Sequence, residues 1–389
     1  MPEIPPPPSH TQLIVFADDW GRHPSSSQHL IRELLPHYPT LWVNTVGTRL
    51  PKLTLTDLQR GYGVLASWLG TRDQAWSPNH PLGLQLVAPK MYPGFRNRLQ
   101  RWFNRAQIVR AVRKQRMAGY RAVVITTLPT TADLAGELGA DRWVYYCVDD
   151  YSKWPGADHQ VMQRMERELV AKTDAIAPVS EFLRSRLKTL APDTDTKIIE
   201  HGVDTALWAS PNIKTKLPEI WPDDRKPISL FWGLLDERMD IDWVRALAGD
   251  QSCEIVMAGP QAPACSESLG FWCKLTGPAP MTDLPAYAAA SQVLIMPYID
   301  APVTRAMQPL KLKEYLATMK PVVVRDLPST RPWADCCDLA SDEESFVRLV
   351  RERAQTGIPD AQRVARQRRL VTESWTAKAA QLAELINAG

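Results

Sequence analysis

Lys311 and Glu314 stand three residues apart in the segment 307–324, MQPLKLKEYLATMKPVVV, and their types suit a nucleotide. The segment predicts a helix that ends before Pro321 and then a short buried strand, so both side chains leave one face of the helix. A helix N-terminus and a lysine attract a diphosphate, and a carboxylate accepts two hydrogen bonds from a ribose diol. On spacing alone, however, a solvent-exposed ion pair is the more common explanation.

Two adjacent carboxylates, Asp149 and Asp150, follow a predicted strand in the sequence VYYCVDDYS. Successive strand residues face opposite sides, so one carboxylate can point into a ligand cleft while the other binds backbone or caps a turn. A partly desolvated carboxylate at a strand end can take a proton from an attacking hydroxyl group. The pair therefore predicts a general base, with two loop-capping aspartates as the alternative.

The first predicted strand runs into a turn that contains Gly21, Arg22 and His23. Ser25 and Gln28 fit a capping box, which predicts that a helix begins directly after this turn. Arg22 and His23 suit the anionic or hydroxyl groups of an acceptor, although a surface role explains them equally well.

The second half of the chain contains a comparable strand end in FWGLLDERMD. Gly233 has no side chain to keep a phosphate away from the backbone, and Arg238 is a candidate clamp for a pyrophosphate. The GxGxxG fingerprint and the P-loop are both absent from the sequence, which argues against a dehydrogenase or an NTPase.

The motif P-L-K-L-x-E-Y-L-A followed by K-P-V-V resembles the nucleotide-sugar motif of group-1, family 4-like GT-B glycosyltransferases, similar to those of teichuronic acid and exopolysaccharide biosynthesis. TDAIAPVSEFLR, EHGVD, IVMAGP and LTGPAPMTDLPAY resemble further motifs of the family, in the same order. The resemblance implies that Glu314 holds the donor ribose and that Asp149 stands where many relatives have a histidine. It also implies a donor site composed of Gly233, Arg238, Gly259, Pro309, Leu310, Lys311 and Glu314.

Three further positions depart from the family pattern. Ala306 stands where a first glutamate is common, Met319 where a glycine is usual, and His201 where an asparagine is usual. A carboxylate base suits an inverting displacement, so the resemblance supports the nucleotide site better than it supports a retaining stereochemistry.

A length of 389 residues suggests two domains, and short apolar strands alternate with helix-sized segments throughout. The predicted fold is α/β of the GT-B type, with two Rossmann-like doubly wound domains facing each other across a cleft and a C-terminal helix that returns to the first domain. Strands are predicted at 13–17, 41–46, 122–126, 143–148, 175–179, 197–200, 228–232, 254–258, 293–297 and 322–324. The predicted parts are a flexible Pro-rich tail at 1–10, an acceptor-side domain at 11–205, a linker at 206–226, a nucleotide-sugar domain at 227–372 and a C-terminal helix at 373–389.

The composition indicates the cellular compartment and the kinds of partner to expect. Forty-six basic residues against 43 acidic ones give a net charge of +3, which does not indicate nucleic acid binding. The six cysteines include no CxxC pair, so we expect reduced thiols, no structural zinc and a cytoplasmic protein. No basic-then-apolar leader and no apolar run of membrane-spanning length is seen, so neither export nor a membrane span is expected.

The segment from Lys90 to Arg116 contains nine basic residues, and no acidic residue occurs between Asp73 and Asp133. A basic helix with Trp and Phe can lie on an anionic bilayer, which would make the protein peripheral on the inner face of the cell membrane. The alternative is an ordinary helix whose apolar stripe packs on its own sheet. The residues of that stripe are Leu99, Trp102, Phe103, Ala106, Val109 and Val112.

The resemblance implies a glycosyltransferase that moves a sugar from a UDP-sugar to a glycan or lipid-linked acceptor in cell-surface polysaccharide assembly, without a cofactor or metal ion. The alternatives are a sugar-nucleotide epimerase of the same architecture and a non-catalytic sugar-nucleotide-binding partner of an assembly complex. A metal-dependent GT-A transferase requires a D-x-D motif, which the sequence matches at Asp193/Asp195 and Asp240/Asp242.

Overall fold

The computed structural model describes residues 3–21, 25–44, 81–92, 94–153, 158–210, 214–223, 225–306 and 310–388. The chain forms two compact units. Unit 1 comprises Met1–His201 together with Trp375–Gly389, and unit 2 comprises Gly202–Ser374.

Unit 1 is built on a seven-stranded parallel sheet with the strand order β3-β2-β1-β4-β5-β6-β7. Its strands are β1 Thr11–Ala17, β2 Thr40–Asn44, β3 Leu84–Val87, β4 Arg121–Thr126, β5 Arg142–Cys147, β6 Ala175–Pro178 and β7 Asp195–Thr196. Its helices are α1 Ser26–Leu34, α2 Arg98–Gln115, α3 His159–Val170 and α4 Glu181–Leu190, with 3-10 helices at Pro129–Leu134 and Tyr151–Lys153. The central strand β1 is buried at every position, as expected for a parallel sheet covered on both faces.

Unit 2 is built on a six-stranded parallel sheet with the order β10-β9-β8-β11-β12-β13. Its strands are β8 Ile228–Trp232, β9 Glu254–Ala258, β10 Lys274–Gly277, β11 Val293–Met296, β12 Val322–Arg325 and β13 Asp338–Ala340. Its helices are α5 Thr205–Ala209, α6 Ile241–Asp250, α7 Pro263–Leu269, α8 Leu284–Ala289, α9 Pro302–Ala306, α10 Leu310–Ala317, α11 Glu343–Thr356 and α12 Asp360–Leu370, with a 3-10 helix at Arg331–Trp333. A second core fills this unit.

The last helix, α13 Trp375–Asn387, belongs to unit 1. Trp375 stacks on His29 of α1 with ring centroids 4.6 Å apart, and the Thr376 hydroxyl donates to Glu33 at 2.7 Å. Arg142 donates to the Leu385 carbonyl at 2.7 Å. The predicted return of the C-terminal helix to the first domain is therefore confirmed.

The strand predicted at 197–200 is wrong. β7 pairs with β6 only at Asp195 and Thr196, after which the chain keeps two single hydrogen bonds, from Lys197 to Ile176 and from Ile199 to Pro178, without a regular ladder. Strands β3, β10 and β13 were not predicted, because each is short and contains few fully buried residues.

The predicted linker at 206–226 and the predicted flexible tail at 1–10 both contain residues that pack on the rest of the chain. Within 206–226, Trp208 is buried and stacks on Trp232 at 5.0 Å, so this part of the predicted linker belongs to unit 2. In the Pro-rich segment, the Pro5 carbonyl accepts from the Tyr38 hydroxyl at 3.2 Å, and Ile4 packs on the core of unit 1. Among the helices that the structure describes, none combines the length and the apolarity that crossing a membrane requires.

Candidate functional site

Two glycine turns lie side by side at the carboxyl ends of β8 and β9. Gly233 has φ +137° and Gly259 has φ +147°, values that only glycine adopts readily. The Gly233 amide donates to the Ala258 carbonyl at 2.8 Å, and the Gly259 amide donates to Gly277 at 2.8 Å. A Cβ on Gly259 would lie 1.9 Å from the Gly233 carbonyl oxygen, so the two turns pack directly against each other.

The side chain of Lys311 lies across Gly233. A Cβ on Gly233 would lie 1.9 Å from the Lys311 Cε atom and 2.5 Å from its Nζ atom. The Nζ atom donates to the Tyr298 hydroxyl at 2.8 Å and lies 5.6 Å from the centre of the Phe231 ring. The ammonium group of α10 is therefore held at the carboxyl end of β8, and not in the solvent-exposed pair that the spacing alone favours.

Glu314, one turn further along α10, is held by an aromatic cluster. Its Oε2 atom accepts from the Trp232 indole Nε1 at 3.0 Å, and Trp232 packs edge-on against Tyr315 at 4.1 Å. The side chain is only partly exposed. Burial raises the pKa of Glu314, while the Trp232 hydrogen bond and the charge of Lys311 oppose that rise. One carboxylate edge is thus fixed by Trp232, whose role was not predicted although it directly precedes Gly233 in the sequence.

Arg238 is ion-paired. Its Nε atom donates to Asp236 at 2.8 Å, and its guanidinium lies 5.7 Å from the centre of the Tyr298 ring. The structure therefore brings Arg238, Gly233, Gly259 and the α10 pair into one neighbourhood of unit 2. Leu310 is on the first turn of α10, and the predicted site residue Pro309 lies outside the described residues.

Asp149 and Asp150 have different environments at the end of β5. Asp150 is buried, and its Oδ1 atom accepts from the Ser152 amide at 3.1 Å and the Ser152 hydroxyl at 2.6 Å. Arg186 lies 3.9 Å from its other oxygen. Asp149 is exposed and accepts from the Asp150 amide at 2.8 Å. One aspartate therefore caps the loop while the other faces solvent.

The turn after β1 is organised by Gln28. The Gly21 amide donates to Gln28 Oε1 at 3.1 Å, and Gln28 Nε2 donates to Asp18 at 3.0 Å. Ser25 caps α1 as predicted, but the Gln28 side chain reaches Gly21 and Asp18, so the reciprocal half of the capping box is wrong. Of the other acceptor-side predictions, Arg22 and His23 lie outside the described residues.

A buried pair near this turn was also missed. Ser26 Oγ and His201 Nδ1 are 2.6 Å apart, and both residues are buried. His201 was noted only as a departure from the family pattern, and nothing in the sequence pairs it with a serine 175 residues away.

Helix α2 packs on the sheet through a different set of residues from the predicted apolar stripe. Of the six stripe residues only Val112 is buried, and the helix packs through Asn104, Ile108 and Val112. Leu99 and Trp102 are 72% and 57% exposed. We call the exposed side the outward face of α2; its residues are Arg98, Leu99, Trp102, Ala106, Arg110, Arg113 and Lys114.

Acidic residues from other elements offset part of the charge of the basic segment. Arg101 pairs with Asp133 and Glu168, and Arg105 pairs with Glu137. The side is thus less positive than the sequence predicted, because these carboxylates are brought in by the fold. Arg113 of the outward face also donates to the Glu137 main-chain carbonyl at 2.9 Å.

The two D-x-D matches lie in different units: Asp193 and Asp195 are at the start of β7 in unit 1, and Asp240 and Asp242 are in unit 2, where both make other contacts. Asp240 caps α6 by accepting from the Trp243 amide at 3.1 Å and pairs with Arg325, while Asp242 pairs with Arg245 at 2.8 Å. Within the described ranges, no three His, Cys, Asp or Glu side chains converge as a metal-binding group.

No protein-family model matches the chain. A curated protein of Bacillus subtilis, named as the teichuronic acid biosynthesis glycosyltransferase TuaH, is 28% identical over 228 residues, which cover 54% of this chain and 57% of that protein. The match thus spans little more than half the length of that relative.

Solved structures match nearly the whole chain. Sucrose-phosphate synthase from Thermosynechococcus elongatus has a TM-score of 0.66 at 14% identity and covers 97% of this chain and 98% of its own. A trehalose-6-phosphate structure from Escherichia coli, bound with UDP-2-fluoro glucose, has a TM-score of 0.66 at 11% identity and covers 97% and 99%. An Anabaena protein in complex with UDP has a TM-score of 0.61 at 14% identity and covers 97% and 99%. The chain therefore has the GT-B fold, and the predicted fold class is confirmed.

Proposed function

We propose that the protein is a glycosyltransferase that transfers a sugar from a UDP-sugar to a glycan or lipid-linked acceptor in cell-surface polysaccharide assembly. The observation that carries the proposal is the cluster in unit 2 where Glu314 and Lys311 meet the turn at Gly233. The Bacillus relative is named for teichuronic acid biosynthesis, and two structures of the same fold contain UDP or a UDP-sugar analogue. These likenesses favour transfer over the epimerase and the non-catalytic partner.

Each group of the cluster has a chemical role in donor binding. The carboxylate of Glu314, oriented by Trp232, accepts hydrogen bonds from the ribose hydroxyls. Lys311 and Arg238 neutralise the diphosphate, whose charge grows as it leaves the sugar. Gly233 and Gly259 contribute by lacking side chains, since their own amides already donate to carbonyls. The proposal requires no metal ion or other cofactor.

On the acceptor side, Asp149 takes the proton of the attacking hydroxyl. It is exposed at a strand end, where its side chain accepts from the Asp150 amide at 2.8 Å. The turn at Gly21 lines the acceptor position in this proposal.

Replacing Glu314 by alanine should weaken UDP binding by roughly 10- to 100-fold, because hydrogen bonds to a charged acceptor contribute about 1.5–3 kcal/mol. Calorimetric titration of UDP, without added metal, measures the effect, and Glu344→Ala, an exposed glutamate on the first turn of α11, is the control. Wild-type protein that binds none of UDP, GDP and ADP would contradict the proposed donor. If the wild type and the variant bound UDP with equal affinity, Glu314 would not be part of the donor site.

The pH dependence separates a binding role of Glu314 from a folding role. Burial raises the pKa of this carboxyl, so affinity should start to fall at a higher pH than for an exposed glutamate as the pH is lowered. Ionisation of Glu314 has the opposite effect on the stability of the fold. Because the pKa of this carboxyl is higher in the folded state than in the unfolded state, its ionised form destabilises the fold at neutral pH. Glu314→Gln should therefore bind UDP weakly and yet melt no lower than the wild type.

The outward face of α2 supports a peripheral position on an anionic membrane. It combines an exposed Trp102 and Leu99 with Arg98, Arg110 and Lys114, residue types that an anionic lipid interface attracts. Each basic residue near such a surface contributes about 1 kcal/mol, and burying the indole adds roughly 1.5–3 kcal/mol. A lipid-linked acceptor would be reached from this position.

The membrane proposal predicts that Trp102→Ser reduces vesicle binding roughly tenfold or more, because the indole no longer enters the interface. Flotation with phosphatidylcholine vesicles containing phosphatidylglycerol measures binding, and vesicles of phosphatidylcholine alone test the contribution of charge. Phe271→Ser is the matched control, since this aromatic is 84% exposed but belongs to unit 2. Wild-type protein that stays at the bottom of the gradient with anionic vesicles would refute the proposal.

A further inference from the structure

Tyr298 lies between the two cations of the proposed donor site. It follows β11, is fully buried, and packs edge-on against Phe231 at 6.0 Å. Its hydroxyl accepts the Lys311 ammonium at 2.8 Å, and the guanidinium of Arg238 lies 5.7 Å from the centre of its ring. One side chain thus contacts both groups that would meet a diphosphate.

The backbone around Tyr298 also holds the loop that carries Arg238. Met239 forms an antiparallel bridge with Tyr298, and the Ile299 amide donates to the Arg238 carbonyl at 2.8 Å. The Asp240 amide donates to Pro297 at 2.8 Å. The Arg238 loop and the strand end at Tyr298 therefore behave as one piece of backbone.

This arrangement reduces the repulsion between the two cations and limits the conformational freedom of the Lys311 side chain. Two cations that converge on one site repel each other, and the Tyr298 hydroxyl oxygen at Lys311 and the aromatic ring near Arg238 offset part of that repulsion. A lysine side chain also has many rotamers, which a fixed acceptor reduces before a ligand arrives. Ordering the ammonium in advance lowers the entropic cost of binding.

We propose that Tyr298 is a positioning residue that holds Lys311 and Arg238 in place for the diphosphate of the donor. The inference rests on the proposed function. It goes beyond it by assigning part of the diphosphate affinity to a buried hydroxyl that touches no substrate atom.

A purely structural tyrosine and a positioning tyrosine differ in which part of the nucleotide they affect. A tyrosine with a structural role affects the stability of the fold, or it affects the binding of uridine, UMP and UDP to the same extent. A positioning role acts through the Lys311 ammonium, so its effect appears with the phosphates and disappears when that ammonium is removed.

The test is Tyr298→Phe, which keeps the ring and removes only the hydroxyl. UDP affinity should fall roughly three- to tenfold, the range expected for one hydrogen bond, while uridine affinity measured by competition stays unchanged. In a Lys311→Met background the same substitution should have no further effect. Tyr38→Phe is the matched control, because Tyr38 is equally buried in unit 1 and its hydroxyl also forms hydrogen bonds, to the Pro5 carbonyl and the Asn387 side chain.

Three outcomes overturn the inference. Unchanged UDP affinity in Tyr298→Phe, with the wild type binding UDP, overturns it alone and leaves the proposed function standing. An equal loss for uridine and UDP, or a full additional loss in the Lys311→Met background, also overturns it alone. Absence of UDP, GDP and ADP binding by the wild type overturns the proposed function and this inference with it.

Discussion

Replacing Asp149 by asparagine should lower the rate of sugar transfer by roughly 10²- to 10⁴-fold, the usual contribution of a positioned general base. The amide has the same shape and its oxygen can still accept from the Asp150 amide, so the loop should keep its geometry. What the variant lacks is the ability to take the hydroxyl proton. UDP affinity should be unchanged, because the donor groups belong to unit 2 and Asp149 belongs to unit 1.

The measurement is turnover of labelled UDP-sugars with lipid-linked acceptors, together with UDP titration of both proteins. Asp150→Asn is the informative comparison. Asp150 is buried against Ser152 and Arg186, so its loss should lower the melting temperature and reduce activity only through folding. If the Asp149 variant kept wild-type turnover while the Asp150 variant was stably folded but inactive, Asp150 would be the general base and Asp149 would not.

Replacing Gly259 by alanine should destabilise unit 2 by about 3–5 kcal/mol, the sum of a glycine-only backbone conformation and a steric overlap. The new Cβ would lie 1.9 Å from the Gly233 carbonyl oxygen, and a backbone atom cannot rotate away. The turns at the ends of β8 and β9 would have to separate. We expect UDP binding and the melting temperature to fall together.

Two matched substitutions divide this effect into its parts. Gly357→Ala, at φ +77° and ψ −164° with no atom within 4 Å of the new Cβ, measures the backbone cost alone. Gly233→Ala adds an overlap with the flexible end of Lys311, so it should destabilise moderately and weaken UDP binding strongly. Calorimetric unfolding ranks the three. A Gly259 variant that is no less stable than the Gly357 variant would show that the turns are not tightly packed.

The sequence was most informative where chemistry and local spacing coincide. Lys311 and Glu314 are neighbours on one helical face, so their proximity follows from the helix itself, and the apolar strands β1, β4 and β8 follow from runs of buried residues. By contrast, short strands such as β3, with little buried surface, leave no such run.

Contacts made by the tertiary fold could not be predicted in the same way. Tyr298 reaches Lys311 from the end of another strand, and Trp232 reaches Glu314 from a third element, 82 residues away. The charge of α2 was overestimated for the same reason, since Asp133, Glu137 and Glu168 approach it only after folding. Spacing predicts which side chains share an element, and packing decides which elements meet.

The division of the chain has a consequence for the order of its synthesis. Unit 2 is inserted between residue 201 and the last helix, so a ribosome releases all of Gly202–Ser374 before Trp375 appears. Trp375, Leu382 and Ile386 are part of the core of unit 1. Unit 2 can therefore fold during translation before the helix Trp375–Asn387 is available to complete unit 1. A ribosome that stalls before Trp375 is made would leave unit 1 incomplete beside a finished unit 2.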